Sequence, residues 1–458
     1  MSKLTTLSPQ LLAPVLAAYP QARRWWLAYS GGADSHALLA LCHSFLANAT
    51  VDSGSRLPLL SAIHIDHGLH PDSSRWASHC VEQAQRINCP IIVKQASLSE
   101  VVGNVEARAR AARYQLIESV LEPGDVVLFA QHQEDQAETF LLRLLRGSGS
   151  QGLSAMPESR LLGAGFLYRP LLSVTKAQIL SFAEQHGLSW VEDPSNQRDY
   201  FNRNYLRLHV LPLLARRWPS YARSIANASR LQVESARLHD DLAAIDRQAI
   251  GVATDLNALS VEGLSTLPLY RQKNLLRYWL KQCQVGAPTQ AQLVNLLDGV
   301  VGAVDDAAPV MEINGYSIYR FRGQLQVVLK PREFDTRQQI AWDGLQPIVL
   351  PCGNTVALKP AKGSGIDARC LAGTDDLTIR YRQGGERCRP AGRNGSRSLK
   401  KLLQDYSVPY WLRDRLPLLY MGDSLVAVAD LWVEEGWQVV GDRESLEFHC
   451  FTLGGELK

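Results

Sequence analysis

The sequence predicts an α/β protein whose first half is built on a parallel sheet covered by helices on both faces. Up to about residue 216, short apolar runs alternate with helical patterns, and a glycine turn follows the first run. The predicted strands are 26–29, 59–65, 91–94 and 126–130, and the predicted helices are 35–47, 73–87, 104–121 and 134–146. Ligands in such sheets bind beyond the carboxyl ends of the strands, so polar strings at those ends are candidates for function.

Length and composition limit the class of protein. A chain of 458 residues predicts two or three domains, and 46% hydrophobic with 20% charged residues is ordinary for a globular protein. The net charge of +3 is too small to identify a nucleic-acid binder. Residues 1–10 do not resemble a signal peptide, and no apolar run approaches the roughly 18 residues of a membrane span. We therefore expect a cytoplasmic protein without a membrane partner.

The cysteines predict neither a zinc site nor a disulfide framework. Eight cysteines are dispersed along the chain without a C-x-x-C pair, which is typical of isolated, reduced thiols.

The turn after the first strand is a candidate phosphate site. It reads Ser30-Gly31-Gly32-Ala33-Asp34-Ser35. Glycines allow close approach of the backbone to a ligand, and the N–H groups that open the next helix attract phosphate. An ordinary strand–turn–helix joint is the alternative. The full string S-G-G-x-D-S resembles the pyrophosphate-binding loop of the ATP pyrophosphatases, whereas neither G-x-G-x-x-G nor the Walker string is present.

Two further strings follow predicted strands or open helices, and each leaves alternatives. At the end of the second strand, His64-Ile65-Asp66-His67-Gly68-Leu69 is either a metal site or a backbone edge that meets adenine, with Asp66 and His67 shaping the turn. On the helix that begins near Asn104, the stripe of Glu106, Arg110 and Arg113 is either a solvated face or part of a site.

The string after the fourth strand is His132-Gln133-Glu134-Asp135-Gln136-Ala137-Glu138-Thr139. Asp135 and Glu138 are three residues apart and can meet on one side of the helix, where two carboxylates can share a cation, bind an ammonium group or accept a proton. Favourable placement of acids in a first helical turn is the alternative, although it leaves the histidine and glutamines unexplained.

The second half contains one strongly basic stretch. A mostly helical segment at 217–345 ends in a predicted β-hairpin with Arg322-Gly323 at its turn, and a last domain follows at 346–458 with its core at about 379–451. Between Arg380 and Lys401 the only acid is Glu386. The basic residues there are Arg380, Arg382, Arg387, Arg389, Arg393, Arg397, Lys400 and Lys401. With four glycines among them, they are typical of a surface that binds a phosphate backbone.

Taken together, these strings resemble the tRNA(Ile)-lysidine synthases. The match rests on Ser30–Ser35, the Asp66 turn, the Asn104 and His132 helices, and two later strings, Arg146-Gly147-Ser148-Gly149 and Glu192-Asp193-Pro194-Ser195-Asn196. The resemblance implies a Rossmann-like PP-loop ATPase domain at 1–216, followed by the helical domain and a small α+β domain. It also implies a ligase for an isoleucine tRNA with a CAU anticodon. In that reaction ATP would adenylate the C2 oxygen of the wobble cytidine and release pyrophosphate, and the ε-amine of free L-lysine would then attack C2 and displace AMP to give lysidine.

The resemblance also implies roles for residues. Ser30, Gly31, Gly32, Ala33, Asp34 and Ser35 would bind ATP, with Mg²⁺ on Asp34, and Arg110 or Arg113 would stabilise the adenylate. Asp135 and Glu138 would bind lysine and remove its proton. The eight basic residues between Arg380 and Lys401 would hold the body of the tRNA, and no role for DNA is implied.

Two other functions remain open on the sequence alone. One is an ATP pyrophosphatase that transfers sulfur to a tRNA base, although such enzymes generally need paired cysteines or an iron–sulfur site. The other is an ATP-responsive RNA-binding protein with a decayed site, which the intact loop and the residues Asp34, Asp135 and Glu138 disfavour.

Overall fold

The structure is a computed structural model that describes residues 7–49, 56–68, 70–96, 105–192, 194, 199–251, 255–304, 307–371, 376–393, 395–452 and 455–456. The chain divides into two compact units, 1–239 and 240–458. The division falls inside one long helix, Tyr221–Ala249. No helix among the described residues combines the length and apolarity needed to cross a bilayer.

The first unit alternates strands and helices, as the sequence predicts. Its strands are β1 (Arg24–Ala28), β2 (Leu59–Asp66), β3 (Ile91–Gln95), β4 (Val126–Leu128), β5 (Ser159–Leu162) and β6 (Gly165–Tyr168). Its helices are α1 (Ala13–Ala18), α2 (Ala33–Asn48), α3 (Ser73–Arg86), α4 (Val105–Glu118), α5 (Gln133–Leu145), α6 (Ser150–Leu153), α7 (Lys176–Gln185), α8 (Asn202–Tyr205), α9 (Leu211–Arg217) and α10 (Tyr221–Ala249).

These six strands form one sheet in the order β3-β2-β1-β4-β6-β5. All neighbours are parallel except β5 and β6, which form an antiparallel pair at one edge. The chain moves outward from β1 to β3 and then crosses back to place β4 on the other side of β1. The carboxyl ends of β1 and β4 therefore flank the topological switch point, where open α/β sheets bind ligands.

The side chains of β1 show why helices cover both faces of this sheet. Trp25 and Leu27 belong to one buried cluster with α2, whereas Trp26 belongs to a second cluster with Ile63 and Val127 on the opposite face. Successive strand residues point to opposite faces, so a run that is apolar at every position is buried on both sides.

The second unit begins with a small helical and β portion. It contains β7 (Ala258–Ser260), α11 (Val261–Ser265), α12 (Leu269–Gln282), α13 (Gln290–Leu296), β8 (Val310–Ile313), β9 (Tyr316–Phe321) and β10 (Gln324–Leu329). The strands form an antiparallel sheet in the order β7-β10-β9-β8. Arg322 and Gly323 both have positive φ angles, which a type I′ hairpin turn requires, so the predicted turn is confirmed.

The rest of the second unit is mostly β. Its strands are β11 (Ile340–Ala341), β12 (Ile348–Val349), β13 (Thr355–Lys362), β14 (Ile366–Asp367), β15 (Leu377–Arg380), β16 (Arg387–Cys388), β17 (Arg397–Ser398), β18 (Leu418–Met421), β19 (Ser424–Val428), β20 (Trp432–Val433), β21 (Glu444–Thr452) and β22 (Gly455–Glu456). Its helices are α14 (Ala368–Leu371), α15 (Leu399–Asp405) and α16 (Tyr410–Arg413). Two antiparallel sheets, β11-β15-β18-β19-β20 and β12-β13-β21-β14, contribute to one buried cluster.

The predicted fold class is confirmed, and the boundaries of the second half stay predictions. Strand β11 precedes the predicted boundary at 345/346, yet it pairs with β15 of the last sheet. The segment 217–345 also holds a four-stranded sheet in place of a single terminal hairpin.

Candidate active site

Hydrogen bonds of Ser35 fix the conformation of the glycine turn after β1. The hydroxyl of Ser35 donates to the carbonyl of Gly32 at 3.0 Å and accepts from the backbone N–H of Ser30 at 3.2 Å. Gly31 has φ +82°, and a Cβ added there would lie 2.8 Å from the sulfur of Cys80. Only glycine therefore fits this position, and the N-terminus of the 16-residue helix α2 opens at the turn.

Asp34 lies in the first turn of α2, where it meets two residues from other strand ends. Its Oδ1 accepts a hydrogen bond from the ammonium of Lys176 at 2.6 Å. Its Oδ2 lies 3.8 Å from Nε2 of the buried His132. Lys176 was not predicted from the sequence as a site residue. It is the first residue of α7, where a positive charge is unfavourable to the helix dipole, and a lysine at such a position is the one feature that could have indicated a role in a site.

The start of α5 fixes a set of polar side chains beside this loop. Oδ2 of Asp135 accepts from the backbone N–H of His132 at 3.1 Å, which caps the helix. Oε2 of Glu134 lies 3.0 Å from Nδ1 of His132 and accepts from the backbone N–H of Lys176 at 2.9 Å. The loops after β1 and β4 and the start of α7 are therefore joined by direct contacts.

These contacts shift the pKa values of the buried groups. Burial lowers the pKa of His132, but the hydrogen bond that its ring donates to Glu134 and the charges of Asp135 and Asp34 outweigh it, so the net pKa is raised. Burial raises the pKa of Asp135, but His132, Arg203 and Arg207 outweigh it, and the net pKa is lowered. The site therefore favours a charged carboxylate at Asp135.

Asp135 and Glu138 do meet on one side of α5, as their spacing predicts, and two arginines bind both of them. The guanidinium of Arg203 donates to Glu138 at 2.7 Å and to Asp135 at 2.8 Å. Arg207 donates to Glu138 at 2.7 Å and to Asp135 at 3.2 Å. Glu138 is 1% exposed, so its charge needs these partners.

This pairing bears on the expectation that Asp135 and Glu138 accept a proton from lysine, which stays a prediction. Because the net pKa of Asp135 is lowered, its surroundings favour binding of a cation over acceptance of a proton. The two arginines were not predicted as site residues. Their spacing of four places them on one face of a helical segment that includes a π-helical stretch, Leu206–Val210, a feature frequent at functional sites.

The two predicted arginines of α4 lie in different surroundings. The side chain of Arg113 is exposed, and its Nε and Nη2 lie 3.3 and 3.0 Å from Nε2 of His67. Arg110 lies over the ring of Tyr114 at 5.3 Å and donates to its hydroxyl at 3.2 Å. Among the residues in the described ranges, no cluster of three metal-ligating side chains is present, at the His64 turn or elsewhere.

The basic stretch of the second unit presents most of its charges to solvent. Exposed members are Arg387, Arg389, Arg393, Arg397, Lys400 and Lys401. Arg380 and Arg382 are instead half-buried and used within the unit: Arg380 lies over Tyr420 at 4.5 Å, and Arg382 donates to Asp414 at 3.0 Å. These two are therefore less available to a polyanion than the sequence predicts.

Several predicted residues lie outside the described part of the chain. They are Leu69, Asn104, Asp193, Ser195 and Asn196, together with the side chain of Glu106.

Three family descriptions match successive parts of the chain. The PP-loop domain matches residues 4–214, the TilS substrate binding domain matches 259–326, and the TilS substrate C-terminal domain matches 377–450. Among solved structures, a U34-tRNA thiolase from Methanococcus maripaludis is 13% identical with a TM-score of 0.39, covering 49% of this chain and 77% of that one.

Curated relatives extend the similarity over nearly the whole chain. A tRNA(Ile)-lysidine synthase of Coxiella burnetii is 38% identical over 438 residues, which is 95% of each chain. One of Pseudomonas aeruginosa is 38% identical over 430 residues, covering 92% of each, and one of Escherichia coli O157:H7 is 36% identical over 439 residues. This chain therefore belongs to the tRNA(Ile)-lysidine synthase family.

Proposed function

We propose that the chain ligates L-lysine to C2 of the wobble cytidine of an isoleucine tRNA whose anticodon is CAU. ATP adenylates the C2 oxygen and releases pyrophosphate, and the ε-amine of lysine then attacks C2 and displaces AMP. The observation that carries this proposal is that His132 lies between the glycine loop and the Asp135–Glu138 pair at the switch point of one sheet, in a chain of this family. Its Nε2 is 3.8 Å from Asp34 and 3.4 Å from Asp135. We place this reaction in the cytoplasm.

The ATP half of the reaction is assigned to the glycine loop. The loop N–H groups and the hydroxyls of Ser30 and Ser35 would hold the departing pyrophosphate at the N-terminus of α2. The ammonium of Lys176 adds a positive charge at the same place, since it lies 2.6 Å from Asp34. Charge that builds up on the phosphates is thus met by donors that lie in the loop or beside it.

Asp34 fits a Mg²⁺ ion on the chemistry of its donors. It offers one partly exposed carboxylate (29%) at the mouth of the loop. Mg²⁺ commonly takes one or two carboxylates and completes its octahedron with phosphate oxygens and water. Asp34 would hold the ion together with the nucleotide, and the bound ion would offset phosphate charge. Lys176, which now occupies Oδ1, would shift toward the phosphates.

The lysine half is assigned to Asp135 and Glu138, in a binding role. Their two negative charges are balanced by two guanidinium groups, so the cluster as a whole is close to neutral. A nearly neutral cluster suits a nucleophile that must be an uncharged amine when it attacks. Arg203 and Arg207, which are 22% and 38% exposed, would exchange part of their contacts when lysine enters.

The adenylate itself is assigned to Arg113, with Arg110 beside it on α4. An arginine remains charged at any working pH and can donate two parallel hydrogen bonds to a phosphate. The exposed basic residues between 387 and 401 are assigned to the tRNA backbone, where contacts position the RNA without reading its sequence.

One experiment tests the whole assignment. The protein is incubated with ATP, radiolabelled lysine and a panel of transcribed tRNAs. We expect label only in the isoleucine tRNA with a CAU anticodon, in step with release of AMP and pyrophosphate. Asp34→Ala should lower the incorporation rate by about ten- to a hundredfold, because one charge-assisted contact is lost. Labelling of other tRNAs, or labelling without ATP, would contradict the proposal.

A further inference from the structure

The turn that follows β2 carries a histidine whose ring contacts the arginine assigned to the adenylate. Nε2 of His67 lies 3.0 Å from Nη2 of Arg113 and 3.3 Å from its Nε. The two residues are 46 positions apart, so the contact depends on the sheet and on the packing of α4 against it. The turn itself is fixed by Asp66, whose Oδ1 accepts from the N–H of Gly68 at 2.8 Å.

This contact defines the protonation of the ring. A guanidinium group has only donors, so Nε2 of His67 must present its lone pair to Arg113. The imidazole is therefore neutral, and its proton lies on Nδ1. Nδ1 is buried and has no hydrogen-bond partner among the residues that the structure describes. Burial, with Arg113 and His64 nearby, also lowers the pKa of His67 to about 4, which keeps the ring an acceptor near neutral pH.

The same contact orients the guanidinium. Both hydrogen bonds use the edge formed by Nε and Nη2, so the Nη1 end of Arg113 is turned away from His67. That end carries the donor pair that can bind two oxygens of one phosphate. An exposed arginine otherwise samples many rotamers, and a fixed acceptor on one edge reduces that freedom before the substrate arrives.

We propose that His67 is a positioning residue for Arg113: its Nε2 accepts from the guanidinium and aims the opposite edge at the phosphate of the adenylated cytidine. This inference rests on the proposed function, and on Arg113 in particular. It does not require His67 to touch the substrate.

Replacing His67 with glutamine or with asparagine tests whether its ring positions Arg113 or only supports the fold. Both replacements are polar amides, and they differ in length by one methylene. The side-chain oxygen of glutamine can reach the place of Nε2, whereas asparagine is one methylene shorter and reaches only the place of Nδ1. We expect His67→Gln to keep a rate of tRNA-dependent ATP–pyrophosphate exchange within about threefold of wild type. His67→Asn should lose about ten- to a hundredfold in kcat, with the KM for ATP little changed.

A double-mutant cycle tests whether His67 acts through Arg113. If it does, His67→Asn should slow exchange in the wild-type background and add almost nothing to Arg113→Ala. His70→Asn, on the same connection but directed at Trp76 with a centroid distance of 4.8 Å, is the matched control and should leave the rate unchanged. Thermal unfolding of each variant checks that the fold is intact.

The outcomes separate the possible failures. Exchange that is slow in Arg113→Ala but normal in His67→Asn overturns the positioning role and leaves the proposed function standing. Equal loss in His67→Gln and His67→Asn also overturns it. Normal exchange in Arg113→Ala removes the role assigned to Arg113, and no exchange in the wild-type protein removes the proposed function itself.

Discussion

Lys176 lies at the first position of α7, where a positive charge is unfavourable to the helix dipole. The cap formed by Thr175 and Gln178 holds the helix start without it. The ammonium is directed at Asp34 in the glycine loop, 2.6 Å away. Lys176 therefore pairs with the loop that we assign to ATP from a helical position that does not favour a cation, and we assign it a second role in binding the phosphates.

We therefore expect Lys176→Met to raise the KM for ATP by about ten- to a hundredfold, since one charge-assisted contact is worth about 1.5–3 kcal/mol. Initial rates of tRNA-dependent pyrophosphate exchange at varied ATP measure this. Lys94→Met is the control, because that ammonium bonds Ser119 on the surface. An unchanged KM would show that Lys176 only pairs with Asp34.

His132 gives a pH dependence of stability. Its pKa is raised above the ordinary 6.5 because Glu134, Asp135 and Asp34 outweigh the opposing effect of burial. The protonated ring therefore stabilises the fold. That stabilisation is complete below pH 6.5 and is lost as the pH rises through the raised value.

We predict that Tm falls between about pH 6 and pH 9 by more in the wild type than in His132→Gln, because only the wild type loses the protonated ring. Calorimetric scans across that range measure it. His43→Gln, at an exposed position of α2, should keep the wild-type slope. A His132→Gln slope equal to wild type would contradict the assignment.

At the scale of the residue, the sequence predicts which side chains belong to the site better than it predicts which residues bind them. The spacing of Asp135 and Glu138 indicated a shared face, and the structure confirms that they meet. The arginines that bind them lie more than 60 residues further along the chain, and only the folded chain brings them together. Sequence spacing reports neighbours within one helix and carries no information on such distant pairs.

At the scale of an element, the glycine loop shows two separate reasons for one residue. Gly31 has a positive φ of +82°, and its missing Cβ makes room for the sulfur of Cys80 at 2.8 Å. Gly124 has a similar φ of +87° with no atom near its missing Cβ. An alanine at Gly124 would therefore cause backbone strain alone, whereas an alanine at Gly31 would add a steric clash.

We expect Gly124→Ala to cost roughly 1–2 kcal/mol of unfolding free energy, the usual cost of a left-handed backbone for alanine. Gly31→Ala should cost more than this, because alanine there also contacts Cys80, and Gly31→Ala/Cys80→Ala should recover the difference. Urea unfolding measures all three. Equal losses in the two single variants would show that the loop shifts to remove the clash.

Elements were predicted well where periodicity is strong and poorly where strands are short. The four predicted strands of the first half are present, but β5 and β6, of four residues each, were not predicted. The predicted hairpin has one strand before its Arg322-Gly323 turn, whereas the structure has two, because Asn314 and Gly315 adopt positive φ angles and separate β8 from β9. An Asn-Gly pair is a strong hairpin signal that the apolar pattern around it hid.

For the whole molecule, the order of strands decides which strings become one site. Alternating strands and helices predict a parallel sheet, but they do not specify that β1 lies between β2 and β4. That order brings the carboxyl ends of β1 and β4 side by side, so that Asp34 and His132 meet. Pairing across long stretches of chain depends on packing of the complete unit, which local pattern does not encode.

The exposed basic surface of the second unit leads to a last prediction, on binding of the whole tRNA. Replacing Arg389, Lys400 and Lys401 with glutamine should weaken tRNA binding and make the slope of log K against log salt less negative. Each lost phosphate contact changes that slope by about 0.7–0.9, because fewer counterions are released. Titrations at several salt concentrations measure it. Replacing Lys359 and Lys362, which are exposed on β13, with glutamine is the matched control and should leave the slope unchanged. A second control is Arg382→Gln, which should lower Tm because it removes the contact with Asp414. An unaltered slope in the triple variant would place the tRNA contact elsewhere on the chain.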